Sequence, residues 1–201
     1  MTLLQIQDIF YAQSGLVFHR VKTILHGKKY KTISLKAFSG QSCFRPTDYN
    51  TDTQEFMEID SKYTTQLHDV LVRLRSPIQA LLIEEDGVGI VVPSHVVILR
   101  RKPDMVSTID LQYFVQYCNS PYVQQTLEYQ AKGSSVITMI QIKTLLEHPL
   151  PALPSVEKQR KVVQLMEMLE EEQRLLQKLV DLSRQKQKTI QYSIFPISKP
   201  Y

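Results

Sequence analysis

Cysteine is scarce in this chain of 201 residues, which contains only two. Cys43 and Cys118 stand far apart and form no C-x-x-C pair, and the five histidines are scattered along the sequence. The pattern therefore predicts neither a disulfide framework nor a zinc site. A reduced, cytoplasmic protein is the expectation that follows.

Long apolar runs are missing as well. No stretch approaches the ~18 consecutive apolar residues of a membrane span, and the opening MTLLQIQDIFYAQSG lacks the basic start and the small-residue cleavage site of a signal peptide. The hydrophobic fraction of 43% is nevertheless high enough for a real core. The length predicts one ordinary domain with an appendage.

Negative charge is absent from one long stretch. The net charge is only +4, yet no acidic residue lies between Asp8 and Asp48, and an acidic cluster follows up to Asp60. The basic residues of that stretch are Arg20, Lys22, Lys28, Lys29, Lys31, Lys36 and Arg45. This segregation predicts one basic surface that faces a polyanion. On charge alone, a solvated basic hairpin without a partner remains the alternative.

Alternating apolar residues predict β-strands in the first part of the chain. Residues 16–36 indicate two strands joined by a turn at HisGlyLysLys (26–29), and the polar residues 37–66 favour a loop or short strands. Further strand candidates are VLVRLR, IQALLI and IVVPSHVVILR, at 70–75, 78–83 and 90–100. Asp86-Gly87 predicts a hairpin between the last two.

Helical spacing replaces this alternation after residue 107. Residues 108–118 and 121–132 predict two helices, with Pro121 in the first turn of the second and Gly133 at its C-terminal cap. Residues 134–150 are mixed and favour one short helical turn and a short strand. Residues 1–150 are thus predicted to form an α/β (α+β) domain with a β-rich core.

One long helix is predicted from Ser155 to about Ser193, where no glycine or proline occurs. At 1.5 Å per residue, this helix is roughly 58 Å long. An apolar stripe with a period close to seven residues comprises Val162, Leu165, Leu169, Leu176, Leu179 and Ile190. Because one small domain cannot cover such a stripe, we expect self-association or a partner helix. A helix packed along its own domain is the alternative.

Three prolines stand directly before this helix: Pro149, Pro151 and Pro154. Each proline fixes its own φ and restricts the preceding residue to extended geometry. We therefore expect residues 151–195 to comprise a stiff proline strut and a coiled-coil helix, with residues 196–201 as a tail.

Two short motifs have the appearance of cofactor sites. The G-x-G of EEDGVGI (84–90) leads into a predicted strand, whereas a nucleotide or S-adenosylmethionine loop leads into a helix. Asn119-Ser120-Pro121-Tyr122 departs at its second position from the (Asn/Asp/Ser)-Pro-Pro-(Tyr/Phe) motif of amino-methyltransferases. No Ser/His/Asp spacing or carboxylate pair stands out. We therefore expect no catalytic centre and no cofactor in this chain.

Residues 153–163, LPSVEKQRKVV, resemble the L-P-P-L-E-E-Q-x-x-I-V signature that opens the long spacer helix in specificity (S) subunits of type I restriction-modification systems. Gln159 and the apolar pair Val162-Val163 match this signature. Upstream, HDVLVRLR (68–75) is similar to the G-D-I-L-x-x-R strand of the family, with His68 in place of glycine. Gly133-Ser134-Ser135 resembles the family's Gly-Ser turn.

The resemblance implies a non-catalytic DNA-recognition subunit. Family S subunits usually carry two target recognition domains and two long antiparallel helices, and each domain reads one half of a split site. This sequence, with one domain and one helix, resembles a half or truncated S subunit. The resemblance then implies a homodimer, a palindromic bipartite site, and two partners. These are a methyltransferase (M) subunit that binds S-adenosylmethionine and methylates adenine, and an ATP-dependent restriction (R) subunit.

Double-stranded DNA is accordingly the expected polyanion. The candidates for phosphate contact are Lys22, Lys28, Lys29, Lys31 and Lys36. Because arginine reads guanine and glutamine reads adenine in the major groove, the candidates for base contact are Arg73, Arg75 and Gln79. Further candidates for backbone contact are Lys132, Ser134 and Ser135.

Two other functions stay open. One is a coiled-coil scaffold or interaction protein whose basic face is incidental. The other is a stand-alone DNA methyltransferase, which needs a cofactor loop that the sequence does not display. DNA binding separates the recognition subunit from the scaffold, and S-adenosylmethionine binding isolates the methyltransferase.

Overall fold

A five-stranded sheet organises residues 1–159, the first of two units of the computed structural model; the second unit is residues 160–201. The structure describes residues 3–18, 28–38, 42–44, 46–47, 51–56, 58–131 and 139–194. The strands within these ranges are β1 (Phe10–Ser14), β2 (Lys28–Ile33), β3 (Cys43–Phe44), β4 (Thr51–Phe56), β5 (Val70–Arg73), β6 (Gln79–Ile83) and β7 (Val96–Arg101). The helices are α1 (Ile6–Ile9), α2 (Leu111–Asn119), α3 (Pro121–Ala131), α4 (Ile142–Leu146) and α5 (Val156–Ile194).

The five-stranded sheet is mixed, with the strand order β1-β7-β5-β6-β3. Neighbouring strands are antiparallel except β3, which runs parallel to β6. β5 is the central strand, and Val70, Leu71 and Val72 are completely buried there. A strand covered on both faces takes a continuous apolar run, which explains the sequence VLV at this position.

Two apolar cores lie on the two faces of this sheet. Val70 and Val72 contribute to the core that contains Phe114 of α2 and Leu127 of α3. Leu71 contributes to the opposite core, together with Leu81, Ile98, Ile33, Phe38 and Phe44. The alternation of side chains along β5 therefore assigns its residues to one core or the other.

β2 and β4 form a separate two-stranded antiparallel sheet, called the ribbon from here on. Its register pairs Lys29 with Glu55 and Lys31 with Thr53. The N–H of Ile33 donates to the carbonyl of Val91 at 2.9 Å, and the N–H of Val91 donates to the carbonyl of Lys31 at 2.9 Å. These bonds attach the ribbon to the segment that precedes β7.

Several predictions from the sequence are confirmed. The candidate strands 70–75 and 78–83 correspond to β5 and β6, and the candidate helices 108–118 and 121–132 correspond to α2 and α3. The predicted long helix is α5, which has 39 residues. A mixed-sheet core followed by one long helix is the predicted fold class.

The hairpin predicted at Asp86-Gly87 is wrong. β7 begins only at Val96 and pairs with β5, so β5 lies between β6 and β7 in the sheet. Residues 85–87 form a single 3-10 turn instead. The apolar residues of 90–100 are compatible with a hairpin to β6 and with pairing to β5. The contacts between β5 and β7, which are far apart in the sequence, decide the pairing.

The turn predicted at residues 26–29 is wrong for its second half. Lys28 and Lys29 lie in β2, which pairs with β4. Residues 19–27, which include the rest of that turn, lie outside the described residues. Val17, predicted in a strand, belongs to none.

The boundary between the two units falls after Gln159, inside α5. The predicted division at residue 150 stays a prediction, and the predicted tail 196–201 lies outside the described residues. Of the helices that the structure describes, none combines the length and the apolar character needed to cross a membrane.

Candidate nucleic-acid interface

One face of the ribbon presents lysines to solvent. Lys29 and Lys31 are exposed and, being two residues apart on β2, share a face. The Nζ atom of Lys29 lies 3.7 Å from Oε1 of Glu55, yet 73% of the lysine side chain remains exposed. An exposed ion pair of this kind is weak, so a phosphate group can compete for the lysine.

Aromatic residues occupy the opposite face of the ribbon. The ring of Phe56 is buried, with its centroid 6.2 Å from that of Tyr30 and 5.5 Å from that of Phe18. The Nζ atom of Lys28 lies 5.4 Å from the centroid of the Tyr30 ring. The ribbon is thus packed on one face. Its other face, called the open face, is exposed at Lys29 and Lys31, whereas Ile33 at the end of that face is buried in the sheet core.

Lys36 stands on a separate 3-10 turn, Leu35–Ala37. Its backbone N–H donates to Oγ of Ser34 at 3.1 Å, and its side chain is exposed. The other predicted contacts to the DNA backbone lie outside the described residues: Lys22, Lys132, Ser134 and Ser135.

Arg73 is the last residue of β5, and the turn that follows it holds its guanidinium. Nε donates to the carbonyl of Arg75 at 3.0 Å, and Nη2 donates to the carbonyl of Ser76 at 2.8 Å. Burial lowers the pKa of Arg73, and the positive charge of Arg75 lowers it further, although an arginine stays charged in proteins. Nη1 and the second hydrogen of Nη2 are left for another partner.

Gln79 lies directly opposite Arg73 in the register of β5 and β6. Opposed residues of an antiparallel pair share a face, with Cβ atoms about 4.5–5.5 Å apart. The side chain of Gln79 is partly exposed, but its Oε1 atom is buried and has no hydrogen-bond partner among the described residues. Arg73 and Gln79, both predicted to contact bases, are therefore neighbours.

His95, which was not predicted as a site residue, is a neighbour of these residues. The N–H of Leu74 donates to the carbonyl of His95 at 3.0 Å, which places His95 across from the segment between Arg73 and Arg75. Burial lowers the pKa of His95, and the charges of Arg75 and Arg73 add to this effect. Its Nε2 atom is buried and lacks a partner within the described ranges. We call Arg73, Arg75, Gln79 and His95 the Arg73 cluster.

The ribbon and the Arg73–Gln79 pair lie on the same side of the five-stranded sheet. Arg73 is two residues from Leu71, so its side chain projects to the face of the core that also contains Ile33 at the end of β2. The opposite face is covered by α2 and α3. Two groups of predicted DNA contacts therefore lie on the sheet face away from these helices. They are the ribbon, which carries predicted phosphate contacts, and the Arg73–Gln79 pair, which is predicted to contact bases.

The motif HDVLVRLR also contains residues that maintain the fold. The side chain of Asp69 is 3% exposed and pairs with Arg100, whose Nε lies 3.0 Å from Oδ1 and whose Nη2 lies 3.2 Å from Oδ2. Burial raises the pKa of Asp69, and its hydrogen bond with Arg100 opposes this shift. His68 has a φ of 69°, in the left-handed region. That conformation favours glycine, the residue that the family pattern has here.

The apolar stripe of α5 is exposed in the second unit of the chain. Its six members are between 42% and 62% exposed: Val162, Leu165, Leu169, Leu176, Leu179 and Ile190. Additional exposed apolar residues flank them, including Met168, Leu175 and Leu182. Apolar side chains arranged at this density along one helix need a partner surface.

Within the described ranges, no group of three or more His, Cys, Asp or Glu side chains is arranged to hold a metal ion. Burial raises the pKa of the Cys118 thiol, which disfavours its reactive thiolate form. The Sγ atom of Cys43 is 3.4 Å from Oε1 of Gln112.

Known proteins resemble this chain in structure and not in sequence. No protein-family model and no curated protein matches it. The HsdS subunit from Thermoanaerobacter tengcongensis is similar, with a TM-score of 0.66 and 15% identity over 100% of this chain and 50% of that chain. The S subunit of the type I system from M. genitalium has a TM-score of 0.54 and 17% identity over 98% and 46%.

A third similar structure concerns the complex assembly and conformational transition of a type I restriction-modification system. Its TM-score is 0.64 with 14% identity, over 96% of this chain and 44% of that chain. At such identities the likeness establishes the fold: this chain has the fold of type I S subunits. The resemblance inferred from the sequence motifs is therefore confirmed, and the chain spans about half the length of the S subunits that it matches.

Proposed function

We propose that this chain is the DNA-recognition part of a type I restriction-modification specificity subunit, with one target recognition domain and one spacer helix. The observation that carries the proposal is the likeness to S subunits over both the β-rich domain and the long helix. The exposed lysines of the ribbon and the Arg73 cluster supply the cationic groups that DNA binding requires. A scaffold function gives no reason for these groups to share one side of the sheet.

The chain performs no chemistry of its own in this proposal and needs no cofactor. An M subunit binds S-adenosylmethionine and methylates adenine, and an R subunit carries out ATP-dependent restriction, at the site that this chain reads. The complex acts in the cytoplasm. The finding that supports this division is the similarity to chains named as S subunits of type I systems.

The stripe of α5 pairs with the same stripe of a second copy, and the two helices are antiparallel. Burial of one leucine-sized side chain contributes about 1.5–3 kcal/mol, so the repeated leucines outweigh the entropic cost of association. Parallel helices in register would bring the run Glu170–Glu172 of both copies together. Antiparallel helices instead bring this run towards the basic segment 184–188 of the second copy.

The proposed antiparallel register pairs four of the six stripe residues with one another and places Leu169 opposite Lys186 of the second copy. If Leu176 packs against Leu179 of the second copy, Leu165 packs against Ile190 at both ends. The three polar residues that interrupt the stripe are Glu172, Ser183 and Lys186. In this register Glu172 lies opposite Ser183 of the second copy and one helical turn from its Lys186, so a carboxylate and an ammonium group meet inside the seam.

A two-fold dimer presents two identical recognition domains and therefore reads an interrupted palindrome. Selection from a library of random duplexes should enrich such a sequence, and the affinity should fall linearly with salt on logarithmic axes because counterions are released. If no sequence is enriched and binding does not depend on salt, the scaffold function is supported instead.

The dimer itself is tested by sedimentation. Leu176→Asp with Leu179→Asp places opposed carboxylates in the seam and should give monomers that no longer require the second half of the palindrome. Gln177→Asp with Gln191→Asp is the matched control, because both residues are exposed and lie off the stripe and outside the segments 170–172 and 184–188. An unmodified protein that is monomeric at micromolar concentration contradicts self-association through α5.

A further inference from the structure

The Arg73 cluster contains hydrogen-bonding groups that the fold does not use. Within the part of the chain that the structure describes, Arg73 has two donor atoms left after it has bonded the carbonyls of Arg75 and Ser76. Oε1 of Gln79 and Nε2 of His95 are buried without a partner among the described residues. Most buried polar atoms in proteins are hydrogen-bonded, so each exception requires an explanation, and a ligand that supplies the missing bond is one such explanation.

The free groups of Arg73 and Gln79 form an ordered set. The two residues are direct neighbours across β5 and β6 and project to the same face. Arg73 offers two adjacent donors, Nη1 and Nη2, and Gln79 offers an acceptor, Oε1. The turn carbonyls restrain the guanidinium, so its two donors are presented in a fixed direction.

A G·C base pair has the complementary order of groups in the major groove. Guanine presents two acceptors, N7 and O6, and the cytosine that pairs with it presents a donor, the N4 amino group. An A·T pair presents an acceptor, a donor and an acceptor, so it cannot satisfy two neighbouring donors. A phosphate group presents acceptors alone and would leave the oxygen of Gln79 without a bond.

We infer that Arg73 and Gln79 together read one G·C base pair, with Arg73 donating to N7 and O6 of guanine and Gln79 accepting from N4 of cytosine. This inference rests on the proposed function and adds the identity of one base pair. It also changes the role predicted for Gln79, which the residue type alone assigned to adenine. The terminal torsion of glutamine is broad, so Oε1 can turn from its buried position towards the base.

The site is tested first with the unmodified protein and altered DNA. Duplexes selected from a random library define the preferred sequence. At one position, replacement of guanine by 7-deazaguanine, which lacks the N7 acceptor, should weaken binding, and so should replacement of the pair by A·T. A good bidentate contact corresponds to about a 5- to 150-fold discrimination. Equal binding to all these duplexes overturns the inference.

Two pairs of variants then assign the contact to atoms. Arg73→Lys retains the charge but loses the planar fork, so it should abolish the preference for guanine while affinity for random DNA stays near that of the unmodified protein. Gln79→Glu retains an oxygen acceptor and should preserve the preference for cytosine, whereas Gln79→Leu should lose it. Circular dichroism and thermal unfolding verify that each variant folds.

The outcomes separate the inference from the function on which it rests. If the unmodified protein selects no sequence, the proposed function fails and the inference fails with it. If it selects a sequence but Arg73→Lys lowers affinity equally for selected and random DNA, Arg73 binds a phosphate and only the inference is overturned. If the unmodified protein favours adenine at that position and Gln79→Glu removes this preference, Gln79 reads adenine and the inference is again wrong.

Discussion

The side-chain oxygen of Gln159 accepts a hydrogen bond from the backbone N–H of Asp110 at 2.8 Å. Its Nε2 atom donates to the carbonyl of Thr108 at 3.1 Å and to that of Pro154 at 2.8 Å. Asp110 in turn caps α2, because its Oδ1 accepts from the N–H of Tyr113 at 3.0 Å. One wholly buried glutamine thus joins the first turn of α5, the end of the proline segment and the start of α2.

Gln159→Ala should destabilise the protein by about 2–3 kcal/mol, because it leaves three partly buried backbone groups without the partner that Gln159 supplies. The measurement is the midpoint of urea unfolding followed by circular dichroism. Gln187→Ala is the matched control, since Gln187 is exposed on the same helix. Equal midpoints for the two variants would show that these bonds contribute nothing measurable.

His68 provides a second test, because its φ of 69° strains any residue with a side chain. His68→Gly should be neutral or stabilising by up to about 1 kcal/mol, and His68→Val should lose about 1–2 kcal/mol. Unfolding in urea measures both changes. Leu67→Gly serves as the control, since Leu67 has no such conformation and glycine should destabilise it. A destabilised His68→Gly protein would mean that the imidazole contributes to stability.

The parts of the fold that depend on local pattern could be predicted from the sequence. α5 was predictable because its period and its lack of glycine and proline extend over 39 residues. The pairing of β7 with β5 was not, because Val96 and Arg73 are distant in the chain and many apolar strands would fit. The periodicity that specifies α5 is local and can be read from the sequence, whereas the pairing of β7 with β5 depends on a contact between distant segments.

The candidate site divides in the same way. Arginine and lysine types predicted DNA contacts. The positions of Lys31 on β2 and of Arg73 on β5 followed from the predicted strands, whereas Lys28 and Lys29 were expected in a turn. His95 gave no signal, because only the bond between Leu74 and His95 brings it to the arginines. Gln159 was recognisable as a motif residue. Its contacts with Thr108 and Asp110 were not predictable, because these residues are 51 and 49 positions away in the sequence.

Acid should destabilise the protein through His148. Burial lowers the pKa of His148 in the folded state from its usual 6.5. Its Nε2 lies 3.1 Å from the hydroxyl of Tyr117, which also donates to the carbonyl of Pro149 at 3.1 Å, and its buried Nδ1 has no acceptor among the described residues. The unfolded chain therefore takes up a proton more readily. Stability is fully present above about pH 6.5 and is lost as the pH falls below it.

The measurement is the unfolding free energy between pH 7.5 and pH 5.5. Its slope should contain up to about 1.4 kcal/mol per pH unit from His148. His148→Gln retains a donor towards Tyr117 and should flatten the slope. His95, whose pKa burial also lowers, accounts for part of the slope that remains. An unchanged slope in His148→Gln would exclude this histidine as the cause.

The open face of the ribbon should set part of the salt dependence of DNA binding. Lys29→Gln with Lys31→Gln removes two contacts with phosphates, so the logarithmic salt slope should decrease by about 0.9 for each contact. Affinity should fall for all sequences alike, because phosphates carry no sequence information. Lys143→Gln with Lys178→Gln changes the net charge equally at exposed positions of α4 and α5 and is the control. A ribbon variant with the slope of its control would remove the ribbon from the interface.

The last prediction concerns the direction of the helix pair. In the proposed antiparallel register, Leu165 of one copy meets Ile190 of the other. A double variant with Leu165→Cys and Ile190→Cys should therefore form disulfide-linked dimers on mild oxidation. The same two positions within one straight helix are about 37 Å apart at 1.5 Å per residue, far beyond the reach of a disulfide. A bond within one chain is thus excluded.

The single variants distinguish the two directions. With antiparallel helices, Leu165→Cys alone should form no more covalent dimer than the unmodified protein, because its two copies lie far apart along the pair. With parallel helices in register, Leu165→Cys alone should cross-link efficiently, since the two thiols then face each other across the seam. The unmodified protein measures the background from Cys43, which is partly exposed, and from Cys118, which is buried. Efficient cross-linking of the single variant would therefore replace the antiparallel pair with a parallel one, and a palindromic site would no longer be expected from the symmetry of the helices.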